Sequence, residues 1–275
     1  MERAVPWVVI DAATGGGVVN LRELWHYRDL LYFLTWRDIA VRYKQTALGV
    51  LWAILQPLLS MVVFTIFLGR LAGVPSDGVP YPIFCYLGLL PWMYFSGAVA
   101  RSGASVVGSA NLLTRVYFPR VLVPLSATLS ALVDFAIAFA VLGCLMGWYG
   151  IRPALSVVLL VPVAALTAVA ATGIGMWLAA LNVRYRDVQY AIPFLMQLWM
   201  FATPVVYPTS IVPERWRPLF ALNPMTGIIE AYRAAVLGRP LDWSTLGVSA
   251  LSAVLLAAVG AWQFHRMERT FADVV

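Results

Sequence analysis

Asp134 is the ionisable residue that lies deepest in an apolar stretch of this sequence. A carboxylate inside a membrane helix is costly, so it usually serves a proton or ion pathway, pairs with a cation, or accepts a hydrogen bond from a neighbouring helix. Proton-coupled carriers use relays of several such groups, and the apolar runs offer one. The sequence therefore favours a role as a structural acceptor or as the partner of an arginine.

Other reactive chemistry is scarce. The sequence contains no G-x-x-x-x-G-K-[ST] phosphate loop, so it cannot hydrolyse ATP by that route. No His, Cys, Asp and Glu cluster has metal-ligand spacing, and Asp187 alone would be a poor metal site for a membrane glycosyltransferase. We therefore predict no catalytic residue, no metal site and no cofactor bound by this chain.

The composition places these residues in a membrane. Of 275 residues, 61% are hydrophobic and 12% are charged, with a mean hydropathy of +0.81, whereas soluble domains average about 25% charged residues. The net charge of +6 is better explained by loops beside anionic lipid than by nucleic acid. The predicted fold class is an all-α membrane protein.

Six runs are apolar and long enough to cross a bilayer, which takes about 20 residues. They are residues 48–68, 83–100, 121–146, 155–181, 188–206 and 246–264. Thirteen of the nineteen Lys and Arg residues would lie on the cytoplasmic side if the N-terminus did. The positive-inside rule then predicts cytoplasmic N- and C-termini.

A cytoplasmic interface helix is predicted at residues 21–46, between a tail at 1–20 and the transmembrane domain at 47–275. One helical face would be apolar, with Phe33, Trp36, Ile39, Ala40 and Tyr43. The opposite face would carry Arg37, Asp38, Arg42 and Lys44. An amphipathic helix of this kind lies in the membrane surface with its apolar face down.

The segment from Tyr207 to Trp243 is too apolar for a wet loop and too rich in proline for a span. We expect two short helices that re-enter the outer leaflet, turning at Asn223-Pro224. A loop lying on the surface is the alternative. Glu230 and Arg233 are three residues apart and can pair on one helical face. We also expect Met225 to be accessible from outside.

Aromatic residues are abundant, with eleven Trp, twelve Tyr and thirteen Phe. Several lie within or near the predicted spans, where they pack against lipid or line a pathway. Aromatic faces offer apolar area that stacks on sugar rings without tight binding. The candidate pathway residues are Trp52, Phe64, Trp92, Tyr94, Phe95, Trp199 and Phe201.

Several motifs, in order along residues 21–237, carry a family resemblance. They are Arg42–Gly49 with Trp52 and Gln56-Pro57, Asn111–Arg120, Asn182–Val188, Thr203-Pro204-Val205 with Tyr207-Pro208, Leu222–Met225 and Glu230–Arg233. Together they resemble ABC-2 type permeases that export O-antigen and teichoic acid. A permease for a smaller lipid or drug shares the architecture and is the alternative, but would not carry this set of motifs.

The resemblance implies a homodimeric half-transporter in the bacterial inner membrane, bound to two copies of a separate ABC ATPase that holds ATP and Mg. The implied substrate is a polyprenyl-linked glycan. The basic first cytoplasmic loop, with Tyr117, Phe118 and Pro119 expected at an exposed tip, would insert into the ATPase. The ATPase-coupling candidates are Asn111, Leu112, Arg115, Tyr117, Phe118, Pro119, Arg120, Arg184, Arg186 and Asp187.

Two further sets complete the predicted site. Cations near the inner leaflet would attract the phosphates of the carrier lipid; the substrate-entrance candidates are Arg37, Arg42, Tyr43 and Lys44. The hairpin on the outer side would close the exit when no polymer is present; the outer-gate candidates are Asn223, Pro224, Met225, Glu230 and Arg233.

Overall fold

The structure, a computed structural model, describes residues 21–44, 49–268 and 271. The predicted tail at 1–20 and residues 45–48, which join the interface helix to the first span, lie outside this part. Every regular element in the described ranges is helical. The helices are α1 (Leu21–His26), α2 (Arg28–Lys44), α3 (Leu51–Phe64), α4 (Tyr81–Gly108), α5 (Ala110–Leu113), α6 (Leu122–Trp148), α7 (Leu160–Arg184), α8 (Val188–Phe201), α9 (Arg217–Ala221), α10 (Pro224–Leu237) and α11 (Trp243–Glu268).

Five helical segments of the described chain are long and apolar enough to cross a membrane. They are Leu51–Leu71, Tyr81–Gly108, Leu122–Trp148, Leu155–Arg184 and Trp243–Glu268. The first is α3 extended by π-helical turns, and the fourth is α7 preceded by a 3₁₀ turn. These segments correspond to five of the six predicted spans, and both Pro57 and Pro91 lie inside helices as expected.

The prediction of a continuous helix at 188–206 differs from the structure. Helix α8 has 14 residues, which is about 21 Å at 1.5 Å per residue and too short for a hydrocarbon core of about 30 Å. The chain continues as irregular backbone, and the Val206 carbonyl accepts a hydrogen bond of 2.6 Å from the hydroxyl of Tyr81 at the start of α4. Residues 203–206 are buried, so protein covers the non-helical part.

Helix α4 is the centre of the bundle. It packs against α3, α6, α7, α8 and α10, and most of its residues are buried. Its apolar side chains form the middle of one large hydrophobic cluster to which α6, α7 and α10 also contribute. A helix that is apolar on all sides is stable only when neighbours surround it, which is the position that α4 occupies.

Helices α7 and α11 cross at backbone contact distance. A Cβ built on Gly260 would lie 1.9 Å from the carbonyl oxygen of Gly173, and one built on Gly173 would lie 2.2 Å from the Cα of Ala257. Small residues at a crossing allow membrane helices to pack closely, since little else drives their association in lipid. This contact fixes α11 against the rest of the bundle.

The bundle has two distinguishable ends. At one end, which we call the α2 end, the last turns of α4, α7 and α11 meet in a small cluster that includes Val106, Val183 and Phe264. Helix α2 lies at the same end, as does the loop between α5 and α6. Leu34 of α2 packs there with Phe118 of that loop and Leu122 of α6. The opposite end, which we call the α10 end, holds the first turn of α4, helices α9 and α10, and the first turn of α11.

Helix α2 packs along the first half of α6, with part of its predicted polar face turned toward that helix. Leu34, which interrupts the predicted amphipathic pattern, is fully buried. Asp38 accepts a hydrogen bond from Ser126, and Arg42 contacts Asp134, so two residues of the predicted polar face point toward α6. Phe33 and Trp36 are exposed on the other side. The face of α2 that is buried is therefore decided by contacts with polar side chains of α6. The sequence of α2 alone does not reveal these contacts.

Candidate functional site

A cavity of about 880 Å³ lies between α3, α4, α6 and α8, beside the last turn of α2. Its walls combine aromatic rings with polar side chains. The aromatic residues are Tyr43, Trp52, Phe64, Trp92, Tyr94 and Phe135, and the polar residues are Arg42, Gln56, Ser60, Ser96, Arg101, Asp134 and Gln197. Its volume is within the range of small-molecule sites in proteins.

A charged cluster on the cavity wall joins three helices. The carboxylate of Asp134 on α6 accepts hydrogen bonds from Arg42 and Tyr43 on α2. It also accepts one from Nη1 of Arg101 on α4, at 3.3 Å. The interpretation of Asp134 as the partner of an arginine is therefore confirmed, with two arginines rather than one.

Tyr43 donates within this cluster as a neutral phenol. Burial, together with the hydrogen bond to Asp134 and its negative charge, raises the pKa of Tyr43 to about 12. The hydroxyl therefore keeps its proton over the physiological pH range and remains a donor. The carboxylate of Asp134 thus has a permanent neutral donor beside its two cationic ones.

The predicted pathway aromatics divide into three groups. Trp52, Phe64, Trp92 and Tyr94 line the cavity. Phe95 and Trp199 support it from behind: the ring centroid of Trp199 lies 6.4 Å from that of Trp92 and 5.3 Å from that of Phe95, both edge to face. Phe201 is exposed on α8 and outside the cavity.

The four predicted entrance residues differ in whether they reach the cavity. Arg42 and Tyr43 reach the cavity, whereas Arg37 forms an ion pair of 2.9 Å with its neighbour Asp38. Lys44 is exposed at the end of α2. The described geometry thus joins two of these four residues to the cavity.

The α10 end contains the predicted pair of Glu230 and Arg233, which is confirmed at 3.0 Å. Nη2 of Arg233 also donates to the carbonyl oxygen of Val205 at 2.7 Å, and the guanidinium lies 3.8 Å from the ring centroid of Phe84. With an exposed side-chain fraction of 3%, Arg233 joins α10, α4 and the irregular segment that follows α8. Gly88 leaves the space for this contact.

Two short helices do flank Asn223, which caps α10 by accepting a hydrogen bond from the main-chain nitrogen of Met225. Pro224 is the first residue of α10 and is buried. The expectation that Met225 is accessible is wrong, because its side chain is fully buried. The first turn of α10 packs into the bundle, and of the predicted gate residues only Asn223 and Glu230 are partly exposed.

The coupling candidates lie at the α2 end, but not all at the surface. Tyr117 is 69% exposed, and Asn111, Arg115, Arg184, Arg186 and Asp187 are exposed as well. The expectation of an exposed Phe118 is wrong: it is 5% exposed because it packs against Leu34 of α2. Leu112 borders the same cluster, Pro119 is partly buried, and Arg120 donates to the main-chain oxygen of Glu268.

Arg101 is the main site residue that the sequence analysis missed, since it counted only toward the orientation of the chain. A signal was present: Arg101 directly follows the apolar run 83–100, and pairing with a cation is one of the usual roles of an acid in a membrane helix. Gln56, Ser60 and Gln197 gave no signal, because isolated polar residues in apolar runs have many explanations. In the described ranges, no three His, Cys, Asp or Glu residues are grouped as metal ligands.

Comparison with known proteins agrees with this architecture. The family model for the ABC-2 type transporter matches residues 29–237. The O-antigen export system permease protein RfbA of Myxococcus xanthus is 34% identical over 260 residues, which cover 93% of this chain and 98% of that protein. The protein of the same name from Klebsiella pneumoniae is 28% identical over 250 residues, covering 90% of this chain and 95% of that protein.

A more distant relative is the polysialic acid transport protein KpsM of Escherichia coli, which is 25% identical over 207 residues, covering 73% of this chain and 78% of that protein. The family match includes α2, the cavity-lining helices α3, α4, α6 and α8, and α10. The chain therefore belongs to the ABC-2 type transporter family.

Proposed function

We propose that this chain is the membrane-spanning permease of an ABC exporter that moves a polyprenyl-linked polysaccharide from the cytoplasmic to the outer side of the bacterial inner membrane. The observation that carries the proposal is the cavity, in which aromatic rings accompany the cluster of Arg42, Arg101 and Asp134. Stacking surfaces suit the sugars of a glycolipid, and the cations suit its phosphate. The names of the relatives support the same substrate class.

The α2 end would face the cytoplasm. The excess of Lys and Arg in the loops assigned to that side supports this orientation. The five long helices then need a sixth crossing to keep both termini inside, and α8 with its buried continuation would supply it. Non-helical backbone is tolerated at membrane depth when protein surrounds it, as it does at residues 203–206.

A separate ATPase would supply the energy, since the sequence has no phosphate loop. Two copies of it would dock on a homodimer of this chain, the usual symmetric arrangement for oligomers. Asn111, Arg115 and Tyr117 on the first loop of the α2 end, with Arg184, Arg186 and Asp187 on the second, would form the docking surface. Their exposure supports this role.

The α10 end would hold the outer gate. Helices α9 and α10 would dip into the outer leaflet and return, and the contact of Arg233 with Val205 would hold the closed form. Arg233 is buried and contacts Glu230, Val205 and Phe84. Breaking these contacts would leave a buried charge without a partner unless another group replaced them. We therefore propose that Arg233 has different partners in the closed and the open form of the gate.

Deletion of the gene in its source bacterium tests the proposal. We expect surface polysaccharide to disappear while lipid-linked glycan accumulates inside the cell, and a plasmid copy of the gene to restore export. In proteoliposomes with the partner ATPase, the glycolipid should stimulate ATP hydrolysis more than the carrier lipid without glycan does. Normal surface polysaccharide in the deletion strain would contradict the proposal and favour a smaller lipid or drug as substrate.

A further inference from the structure

We infer that a second cavity, at the α10 end of the bundle, binds neutral sugar units of the exported glycan as they emerge on the outer side. This cavity, which we call the outer cavity, measures about 330 Å³, at the lower end of the range for small-molecule sites. None of the described residues lines both it and the aromatic cavity beside α2. The inference rests on the proposed function, and it adds a binding site on the other side of the membrane.

Segments that are distant in the sequence enclose the outer cavity. They are the loop before α4, the segment between α8 and α9, the helices α9 and α10, and the start of α11 with the residues before it. The hydroxyl of Ser210 donates a hydrogen bond of 2.9 Å to the carboxylate of Asp77, and Arg239 donates to the main-chain oxygen of Asp77. The walls of the cavity are therefore joined to one another by polar contacts.

Helix α10 turns one polar face toward the outer cavity. Thr226, Glu230 and Arg233 follow one another at intervals of four and three residues, so they lie on the same side of the helix. All three line the cavity, with the small side chain of Ala234 beside them. Most other residues of α10 are apolar and buried in the bundle. The polar groups of this helix are thus directed to the cavity.

Two polar atoms on this face have no hydrogen-bond partner among the described residues. Thr226 is 1% exposed, and its hydroxyl is one of them. The other is Nε of Arg233, whose Nη1 and Nη2 atoms donate to Glu230 and Val205. Burying a polar group without a hydrogen bond is costly, and most such groups in proteins have a partner. A ligand that carries hydroxyl groups can satisfy both atoms.

The charges around the outer cavity balance, which indicates a neutral ligand. Its described lining carries three guanidinium groups and three carboxylates, which belong to Arg217, Arg233, Arg239, Asp77, Glu230 and Asp242. An ionic ligand would meet as many like charges as opposite ones. Sugar hydroxyls donate to carboxylates and accept from guanidinium groups. A neutral glycan can therefore use both sets at once.

The outer cavity has a buried floor and an open mouth. Thr226 and Arg233 are buried, whereas Asp77, Arg217 and Asp242 are exposed. The partly buried ring of Phe220 adds an apolar surface, against which the C–H face of a sugar can pack. In the proposed orientation a glycan enters this cavity from outside the membrane, and a bound sugar unit opposes backward sliding of the polymer.

The test measures weak binding to the full chain with its ATPase in lipid nanodiscs by saturation-transfer NMR. The probe is the oligosaccharide repeat of the surface polysaccharide of the source bacterium, with any acidic sugars reduced to the neutral form. Inorganic phosphate and Ca²⁺ serve as ionic competitors. We expect Thr226→Val to lower the affinity for the oligosaccharide about fivefold, the size of one neutral hydrogen bond. Its unfolding temperature should not fall, because valine keeps the shape and leaves no hydroxyl without a partner.

Thr128→Val is the matched control. Thr128 is also a buried helical threonine, but its hydroxyl donates to the main-chain oxygen of Pro124 at 3.1 Å, and it lines neither cavity. The affinity should be unchanged in this variant. If Thr226→Val fails to fold, Phe220→Leu decides, since loss of the aromatic ring should also lower the affinity severalfold.

Three outcomes would overturn the inference: no binding of the oligosaccharide to the wild type, binding that both Thr226→Val and Phe220→Leu leave unchanged, or an equal loss in Thr128→Val. Displacement of the oligosaccharide by phosphate or Ca²⁺ would also overturn it, because the cavity would then be a site for ions. Absence of binding, together with loss of surface polysaccharide in the deletion strain, would refute the outer site alone. Binding with the expected losses, in a strain that exports normally without the gene, would refute the proposed function alone.

Discussion

Arg233 on α10 donates a hydrogen bond of 2.7 Å from Nη2 to the carbonyl oxygen of Val205, in the irregular segment that follows α8. Val205 is fully buried, so no water can replace this donor. A carbonyl outside a helix and inside an apolar bundle must be satisfied by protein. Arg233 therefore makes it possible for the chain to leave the helical conformation at Ala202.

Replacing Arg233 with Met should destabilise the protein by about 3–5 kcal/mol, the usual cost of breaking a buried pair from one side. Glu230 loses its partner and the Val205 carbonyl loses its donor. Thermal unfolding of the purified protein measures the change. Arg217→Met is the control, since the pair of Arg217 and Glu214 is exposed and 3.7 Å long, and such pairs are worth about 0–1 kcal/mol. Equal effects in both variants would contradict the structural account of Arg233.

Gly88→Ala should prevent the segment after α8 from docking on α4. The new Cβ would lie 2.1 Å from the carbonyl oxygen of Val205 and 2.8 Å from Nη2 of Arg233, and neither atom can move without breaking the contact between them. Gly147→Ala, at a helical position with no atom within 4 Å of its Cβ, is the matched control. We expect low yield and a lowered unfolding temperature for Gly88→Ala only. A stable, exporting Gly88→Ala protein would show that the close contact is not required.

The two neighbouring aromatics of the first loop at the α2 end should behave differently. Tyr117→Ala should weaken association with the ATPase while leaving stability within about 0.5 kcal/mol, as is usual for surface substitutions. Phe118→Ala should cost about 3–5 kcal/mol because it empties a packed position beside α2. Co-purification with the ATPase and thermal unfolding separate the two effects. Retained association in Tyr117→Ala would remove that residue from the coupling surface.

Asp242 should stabilise the start of α11 in a pH-dependent way. Hydrogen bonds from Ser244 and then Thr245 lower its pKa to about 2. Because the folded-state pKa lies below the unfolded value of about 3.9, the contribution is fully present above about pH 4 and is lost as the pH falls toward about 2. Asp242→Ala should cost about 1 kcal/mol at pH 7, a typical capping effect.

Unfolding measured between pH 7 and pH 3 tests this prediction, since the difference between the wild type and Asp242→Ala should shrink at the acidic limit. Asp29→Ala is a suitable control, because the Asp29 side chain is 97% exposed and its ion pair with Arg28 is 3.7 Å long. A pH-independent difference for Asp242→Ala would mean that the carboxylate charge contributes nothing to the cap.

The sequence was sufficient for features that repeat along the chain. Five of the six spans follow from apolar runs, because lipid imposes the same length and composition on every crossing helix. The pairing of Glu230 with Arg233 follows from helical spacing alone. The family follows from the order of the motifs, since each motif is short but their arrangement is specific.

Contacts between distant residues could not be predicted in the same way. Arg42 and Asp134 are separated by 92 positions, and nothing in either neighbourhood specifies the other as its partner. The burial of Phe118 depends on Leu34 of α2 in the same manner. The end of α8 at Phe201 has a local signal, because Thr203 precedes Pro204 and a residue before proline disfavours the helical conformation. The donors that satisfy the irregular backbone, by contrast, come from the distant helices α4 and α10.

The crossing of α7 and α11 at Gly173 and Gly260 has a mechanical consequence. Backbone meets backbone there, so no side-chain rotamer is available to absorb a displacement, and the two helices must move as one piece. Helix α3 is the opposite case, since few of its side chains are buried in the chain. A displacement of α3 would therefore change the width of the cavity that it lines without disturbing the crossing of α7 and α11.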